Sequence, residues 1–387
     1  MPTPSLLIVP ARFKTGRLYS QIPTNTDNRG DFTVTRNTTA TRFNSAGLLE
    51  SVASGIPRLD YYTSGGVTGC PALLVEPSAV NLALHSRDLT NAVWSGTNVT
   101  TAKNAVGADG VASGATTLTA TAASGTVLQA ISHASQSRVF SAYVRRVTGT
   151  GAIQMTTNGG TTWTTVTISS LYTQVACAAQ TVASGTVGFR MAVSGDVIEV
   201  DFTQGEVGPA FTSPIVTTAA SGSRSADVIS VSGAVSGSIG QTEGTIYAEV
   251  DITTKTAGLN GNQLIDISFD ADTRMFIRRQ DGSTLFQVRL RVGGANVVDR
   301  QLINIPAGVA KIALGYKSGD NAIYVNGTNV LTGAGLTNAF TIVNQFNKVD
   351  LGHLSGTANS QFNDRIRAAA FYTTRITDAE LATLTTL

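Results

Sequence analysis

The sequence predicts an all-β protein: an extended N-terminal arm followed by two antiparallel β-sandwiches, with one short C-terminal helix. Three observations carry this expectation. Charged residues make up 13% of the chain, about half the usual share of roughly 25%. Gly, Ser, Thr and Ala take their place, and these suit tight turns and small pleated side chains better than long solvated helices. Short apolar segments alternate with period two, and the one clear helix signal lies near the C-terminus. A length of 387 residues suggests two or three domains, and an apolar share of 42% supplies material for buried cores.

Residues 1–36 are irregular. Pro2, Pro4, Pro10 and Pro23 fix φ and remove backbone donors, and residues 25–31 are turn-rich, so the stretch should be extended rather than folded on itself. With Arg12, Lys14 and Arg17 punctuating it, it reads as an anchoring arm that orders by docking on something else. Residues 37–80 hold short strands: 40–52 broken by a turn at 44–47, then 57–63, then 70–76. Residues 81–211 bring a succession of short β-capable segments, among them 138–147, 161–168, 186–192 and 197–203. Punctuated by Gly, Ser and Asn, they argue for a sandwich or jelly roll.

Residues 212–240 read as a Ser/Gly/Thr/Ala-rich linker whose only charges are Arg224 and Asp227, with 227–231 able to start the next unit. Residues 241–387 form the clearest domain. Ile246, Ala248, Val250 and Ile252 share one strand face, and 263–269, 274–278, 348–354 and 366–372 are further strands. Asp281-Gly282 and Asn326-Gly327 are hairpin dipeptides, because both central residues of a type I′ turn need φ > 0. Thr377 as N-cap with Glu380 three residues on forms a capping box before Leu381 and Leu384.

Several short motifs, in order, resemble a leader found in bacteriophage structural proteins that carry carbohydrate-binding-like jelly rolls. They are DFTVTR at 31–36, ATR at 40–42, GLLE at 47–50, PRLD at 57–60 and LLVEP at 73–77 with Asn81 and Leu82. SRDLTNAVW at 86–94 resembles the usual lead-in to the jelly roll, and GEVGPAFTSP at 205–214 with RSAD at 224–227 resembles the way out. Residues 241–387 resemble a concanavalin A-like (LamG-type) sandwich through the hairpin at 321–328, the strand at 364–372 and ITDAEL at 376–381. The resemblance implies a virion fibre or appendage subunit. It does not say which appendage, since such modules occur on tail fibres, tail spikes and head fibres alike.

The chemistry is bounded mostly by exclusion. Basic and acidic residues nearly cancel to a net charge of +2, and no concentrated basic footprint for phosphate neutralisation appears, so no nucleic acid is expected. No apolar run reaches the ~18 residues that cross a bilayer. The apolar residues 6–10 lack a preceding basic region and do not read as a signal peptide, which points to a protein made in the cytoplasm. Cys70 and Cys177 cannot make a disulfide framework; one bridge between them is an option, and buried small hydrophobes the preferred reading.

Glycoside hydrolysis needs two carboxylates about 5–9 Å apart, which i, i+2 spacing on a strand can supply. Glu249/Asp251 has that spacing but occupies the solvated face of a half-buried strand. Glu199/Asp201 repeats the pattern. Asp270/Asp272 is a further candidate pair; it also suits an Asx turn, with calcium coordination as another use of the same two residues. His85, His133 and His353 are far apart in sequence, no nucleophile elbow pairs with a His and an Asp, and the Gly-containing stretch 257–261 lacks the context of a phosphate loop. No catalytic set is expected.

Sugar binding needs an aromatic ring for the apolar sugar face and polar groups for its hydroxyls. Trp94 reads as core. Trp163 follows the loop tip at 158–160, so Trp163 and Asn158 are the ligand-binding candidates. Arg145/Arg146 and Arg278/Arg279 read as strand faces or subunit contacts. The functional expectation is a structural tail fibre or appendage subunit on the virion surface that adheres to host glycan. It forms a homo-oligomer, read as a trimer, with 1–36 inward and the last sandwich outward. A capsid decoration or head fibre, and a polysaccharide depolymerase, are the alternatives.

Overall fold

A computed structural model describes residues 2–23, 29–64, 67–253, 262–280, 284–343, 345–357 and 360–387. The chain forms two compact units, and neither is continuous in sequence. Unit 1 comprises Met1–Thr38, Val52–Pro77 and Ala226–Leu387; unit 2 comprises Thr39–Ser51 and Ser78–Ser225. Strands dominate both, all named pairings are antiparallel, and the only α-helix among the described residues is Asp378–Thr385.

Unit 1 is built from two sheets. One runs Thr328–Asn329, Ala322–Val325, Gly308–Lys317, Glu243–Ile252, Asp364–Tyr372, Ala72–Val75 and Leu59–Asp60, with Leu6–Ile8 also paired to Asp364–Tyr372. The other has nine strands, from Phe13–Lys14 and Arg17–Leu18 through Phe32–Thr35, Val228–Ser232, Lys348–Leu351, Asn262–Ser268, Arg274–Arg279 and Leu285–Val292 to Ala295–Asn304. Period-two alternation does the sorting: Ile246, Ala248 and Val250 from the first sheet share a core with Ile265, Ile267, Met275, Ile277, Val288 and Leu290 from the second. The predicted Asn326-Gly327 turn is present, with φ of 49° and 81°, and joins Ala322–Val325 to Thr328–Asn329. Thr377 and Glu380 make the expected capping box. The predicted Asp281-Gly282 turn and the stretch 257–261 lie outside the described residues, as does most of the turn-rich segment after Pro23.

The N-terminal segment is extended as expected, but it is not a separate arm. Leu6 and Ile8 pair with Phe371 and Ala369, and Leu6, Ile8, Leu18, Phe32 and Val34 are all buried in the core of unit 1. The prolines permit this because they flank strands rather than interrupt them. Pro4 precedes and Pro10 follows Leu6–Ile8, so the donors they lack fall outside the ladder. The arm and the last sandwich, expected as separate domains, both belong to unit 1.

The residues expected as a leader at 37–80 divide between the units. The turn at 44–47 separates Ala40–Phe43 from Leu49–Val52, and Phe43 and Leu49 pack on Tyr143, Phe202 and Ala108 of unit 2. Two further strands, Leu59–Asp60 and Ala72–Val75, join the first sheet of unit 1. The segment 212–240 is likewise not a bare linker. It contributes Gly222–Arg224 to unit 2 and Val228–Ser232 to unit 1, and its two charges, Arg224 and Asp227, are both buried. Small residues in a low-charge chain make edge and core strands as readily as they make tethers.

Asp227 lies in a buried ionic knot. Its carboxylate accepts from Arg36 Nη1 (3.0 Å), from Arg58 Nη2 and from the backbone N–H of Glu76 (2.9 Å). Arg58 Nη1 donates to Glu76 Oε2 at 2.6 Å. All four side chains are at most 2% exposed. Arg36 also donates to the carbonyls of Thr38, Ala53 and Ile56, which fixes the chain where it leaves and re-enters unit 1. Burial works against the charged Arg58, and Asp227 and Glu76 more than offset it, so its pKa is raised. These four residues come from four of the leader-like motifs, DFTVTR, PRLD, LLVEP and RSAD. The Asp60 of PRLD accepts from Arg365 at 2.6 Å.

Unit 2 also has two main sheets. One runs Ser95–Thr97, Gly125–Ala130, Thr186–Met191, Ile153–Thr156 and Thr164–Val166. The other centres on Gln136–Thr148 beside Val197–Val207. Leu118, Val127, Phe140, Val144, Ile153, Phe189 and Val200 fill the space between, with Phe140 and Phe189 edge to face at 5.3 Å. Trp94 is buried there and donates Nε1–H to the carbonyl of Leu84 at 3.1 Å, the core role expected for it. Cys177 is buried, whereas Cys70 is exposed, and both are free thiols, so the burial expected of the pair holds for one only.

Candidate functional site

The five-stranded sheet of unit 2 buries Val127, Phe189, Met191, Ile153 and Met155 on one face. Alternation therefore turns Thr126, Arg190, Gln154 and Thr165 to the other. The register sets them side by side across four strands: Thr126 opposite Arg190, Arg190 opposite Gln154, Gln154 opposite Thr165. Arg190 Nε donates to Gln154 Oε1 at 2.7 Å, and Gln154 Nε2 donates to Thr165 Oγ1 at 3.3 Å. The half-buried indole of Trp163, just before Thr164–Val166, lies over this row with the Arg190 guanidinium 4.6 Å from its ring centroid.

The loop at 156–162 holds the ring in place. Asn158 is its clasp: Oδ1 accepts from the Thr162 N–H and the Thr156 hydroxyl, each at 2.9 Å, and Nδ2 donates to Gln180 Oε1 at 2.8 Å. Its amide is bonded within the protein, and Asn158 shapes the loop that carries the ring. Gly160 has φ of 90°, and a Cβ there would stand 2.8 Å from Trp163 Cζ2, so the close approach of ring and loop requires glycine. Sequence reading found Trp163 from its loop position but missed Arg190 and Gln154. Their signal was alternation on two strands, visible only once the strands are paired.

The other candidates fall into separate surroundings. Arg12 and Lys14 are exposed and approach the Tyr19 ring at 5.8 and 5.9 Å, and Arg17 sits on the strand paired with Phe13–Lys14, so all three share one hairpin. Asp270 accepts from the N–H groups of Asp272 (2.9 Å) and Thr273 (2.7 Å) in the expected Asx turn, and Asp272 pairs with Arg291 at 3.0 Å. Among the described residues no group of three or more His, Cys, Asp or Glu side chains is placed to hold a metal ion.

Arginine meets both carboxylates of two of the i, i+2 pairs considered for hydrolysis and one carboxylate, Asp272, of the third. Glu249 pairs with Arg367 at 2.9 Å and Asp251 with Arg365 at 3.7 Å. Glu199 pairs with Arg145, and Asp201 takes Arg87 through both oxygens at 2.9 and 3.0 Å. Burial pushes the Asp201 pKa up, against the pull of Arg87. His353 is buried, and burial holds its pKa down; its Nε2 accepts from the Ile229 N–H at 2.9 Å.

No protein-family model matches the chain, and no curated protein sequence matches it. Among solved structures, the Ruminococcus gnavus IT-sialidase CBM40 bound to α2,3-sialyllactose is 19% identical over 39% of this chain and 87% of its own, with a TM-score of 0.32. The leech intramolecular trans-sialidase complexed with 2,7-anhydro-Neu5Ac is 19% identical over 40% of this chain and 26% of its own, also at 0.32. Trypanosoma rangeli sialidase in complex with sialic acid is 12% identical over 62% and 33%, again at 0.32. At such TM-scores these overlaps carry no argument about function.

Proposed function

We propose that this chain is a structural, non-enzymatic bacteriophage virion protein, a tail fibre or appendage subunit that adheres to host-surface glycan through the Trp163 face. The observation that carries the adhesive part is the half-exposed indole set in register with Arg190, Gln154 and Thr165 on a flat polar sheet face. An indole offers a surface for the C–H face of a sugar ring, and amide, guanidinium and hydroxyl groups beside it can exchange hydrogen bonds with ring hydroxyls. The pairing of Glu249, Asp251, Glu199 and Asp201 with arginine, and of Asp270 with backbone N–H groups, supports binding over hydrolysis. The virion part rests on the order of leader-like motifs, and the homo-oligomer, taken as a trimer, belongs to the same reading.

A glycan array probed with the whole protein and with Trp163→Ala tests adhesion. The expected result is a defined set of bound glycans and a loss of about tenfold or more in affinity for the variant, a difference of roughly 1.4 kcal/mol. Absence of binding by the parent protein, or undiminished binding by the variant at unchanged melting temperature, would sink it.

Incorporation into particles tests the virion assignment. Deleting residues 1–36 would remove Leu6, Leu18, Phe32 and Arg36 from the interior of unit 1, so a loss of incorporation would report only unfolding. The substitutions Arg12→Ala, Lys14→Ala and Arg17→Ala change the exposed hairpin alone. They are expected to deplete the protein from purified virions several-fold at normal expression, as loss of a few surface charge contacts should. Equal incorporation would reject the hairpin as anchor, and a parent protein absent from virions would reject the assignment. A capsid decoration or head fibre would share this chemistry and differ only in address, which imaging of labelled virions reads directly.

A further inference from the structure

In unit 1, the neighbouring strands Arg274–Arg279 and Leu285–Val292 bury Met275, Ile277, Val288 and Leu290, and between 274–278 and 287–291 they set six side chains on the opposite face. Four of the six are arginines: Arg274, Arg278, Arg289 and Arg291. The others are Phe276 and Gln287. In a chain with so few charges this is a concentration, and the geometry makes it a surface. Phe276 is buried under three guanidinium groups, from Arg274, Arg278 and Arg289, at 5.0, 5.3 and 5.4 Å from its centroid. The ring gathers the three guanidinium groups over one spot of the sheet.

The acids that accompany them are arranged unevenly in depth. Asp266, which holds Arg274, is about 1% exposed, and so is Asp350 beside Lys348. Their charges lie beneath the face, while Arg289, Arg291 and Lys348 remain between 22% and 35% exposed. Asp299 (21% exposed) and Asp272 (64%) are the carboxylates at the surface, paired with Arg289 and Arg291. An approaching ligand therefore meets Arg274, Arg278, Arg289, Arg291 and Lys348 against two surface carboxylates.

We propose that this arginine face binds a carboxylate-bearing polysaccharide. A guanidinium presents paired N–H donors that match a carboxylate, and arginines on adjacent strands and alternate positions repeat that fit along an extended polymer. Gln287, which accepts from Arg278 Nε at 2.8 Å and donates to Asp299 at 2.6 Å, ties the donors into one ladder. The proposal stands apart from the Trp163 face: the residues belong to the other unit and the ligand class is defined by charge.

The test is binding of the whole protein to polygalacturonate, with dextran as the neutral polymer and single-stranded DNA as a polyanion without carboxylates. The expected result is retention on polygalacturonate that weakens as salt rises, none on dextran, and at least about tenfold weaker binding by Arg278→Gln/Arg291→Gln. The variant Arg278→Lys/Arg291→Lys keeps the charge but loses the fork, and should fall between the two. Equal binding to dextran, equal or tighter binding to the DNA, or parent-like affinity in the folded glutamine variant would overturn the proposal. Should the glutamine variant fail to fold, salt-independent retention of the parent protein overturns it as well. Trp163→Ala should leave polygalacturonate binding unchanged.

Discussion

Replacing Arg58 by methionine is expected to cost unit 1 about 3–5 kcal/mol. The substitution keeps most of the side-chain volume and removes the guanidinium that bridges the buried carboxylates of Glu76 and Asp227. The cost comes from carboxylates left without compensation rather than from lost packing, because a buried ion is penalised far more when unpaired than it gains when paired. Against a typical total of about 5–15 kcal/mol, this is enough to shift the unfolding transition markedly. Chemical denaturation followed by fluorescence and circular dichroism measures it. The further substitution Glu76→Gln in the Arg58→Met background should recover part of the loss, since it removes one of the stranded charges. A midpoint for Arg58→Met within error of the parent protein would show that the knot contributes nothing to stability.

The second large effect is on pH dependence. Burial pushes the Asp266 carboxyl up to about 6, and Arg274 pulls it back only in part. Asp350 opposes ionisation from the neighbouring strand, and Lys348 favours it. In an unfolded chain the same carboxyl titrates near 3.9. The folded state therefore holds this proton more tightly, and ionising the group costs stability. Its contribution is unchanged below about pH 4, falls as pH rises from about 4 to 6, and is constant above that, with a total loss of about 3 kcal/mol for a shift of roughly two units. Asp266→Asn cannot titrate, so the stability of the parent protein minus that of the variant should decline across this window. A flat difference between pH 4 and 7 would contradict the assignment.

What was legible in the sequence follows the reach of the interactions involved. The strand at 243–252, the Asn326-Gly327 turn and the Thr377/Glu380 capping box are local patterns, and each is where residue spacing places it. The partnership of Leu6–Ile8 with Asp364–Tyr372 is not local. A three-residue strand has too little alternation to announce itself, and its partner stands more than 350 positions away. The prolines around it suggested an arm because proline reports on φ and donors, not on what lies alongside.

The functional candidates divide in the same way. Trp163 was visible from its loop, but the part of Asn158 in shaping that loop emerged only with its amide partners. Arg190 and Gln154 came into view only through strand register. Arg224 and Asp227, isolated charges in a polar segment, looked like decoration on a tether. In a chain that carries so little charge, a lone arginine or aspartate between small residues was instead a sign of an interior partner.

The discontinuity of unit 1 has a consequence for how the chain is made. Synthesis proceeds from the N-terminus at about 5–20 residues per second, and domains generally fold as they are completed. Unit 2 has all of its residues once Ser225 has been added. The strand Leu6–Ile8, by contrast, must wait for Asp364–Tyr372, an interval of roughly 20–70 s at those rates. During that time Leu6, Leu18, Phe32 and Val34 have no core to enter. Residues 6–34 thus leave the ribosome before the rest of unit 1 and are among the last of it to be housed, and a nascent chain halted before residue 364 would carry a finished unit 2 and a unit 1 that cannot close.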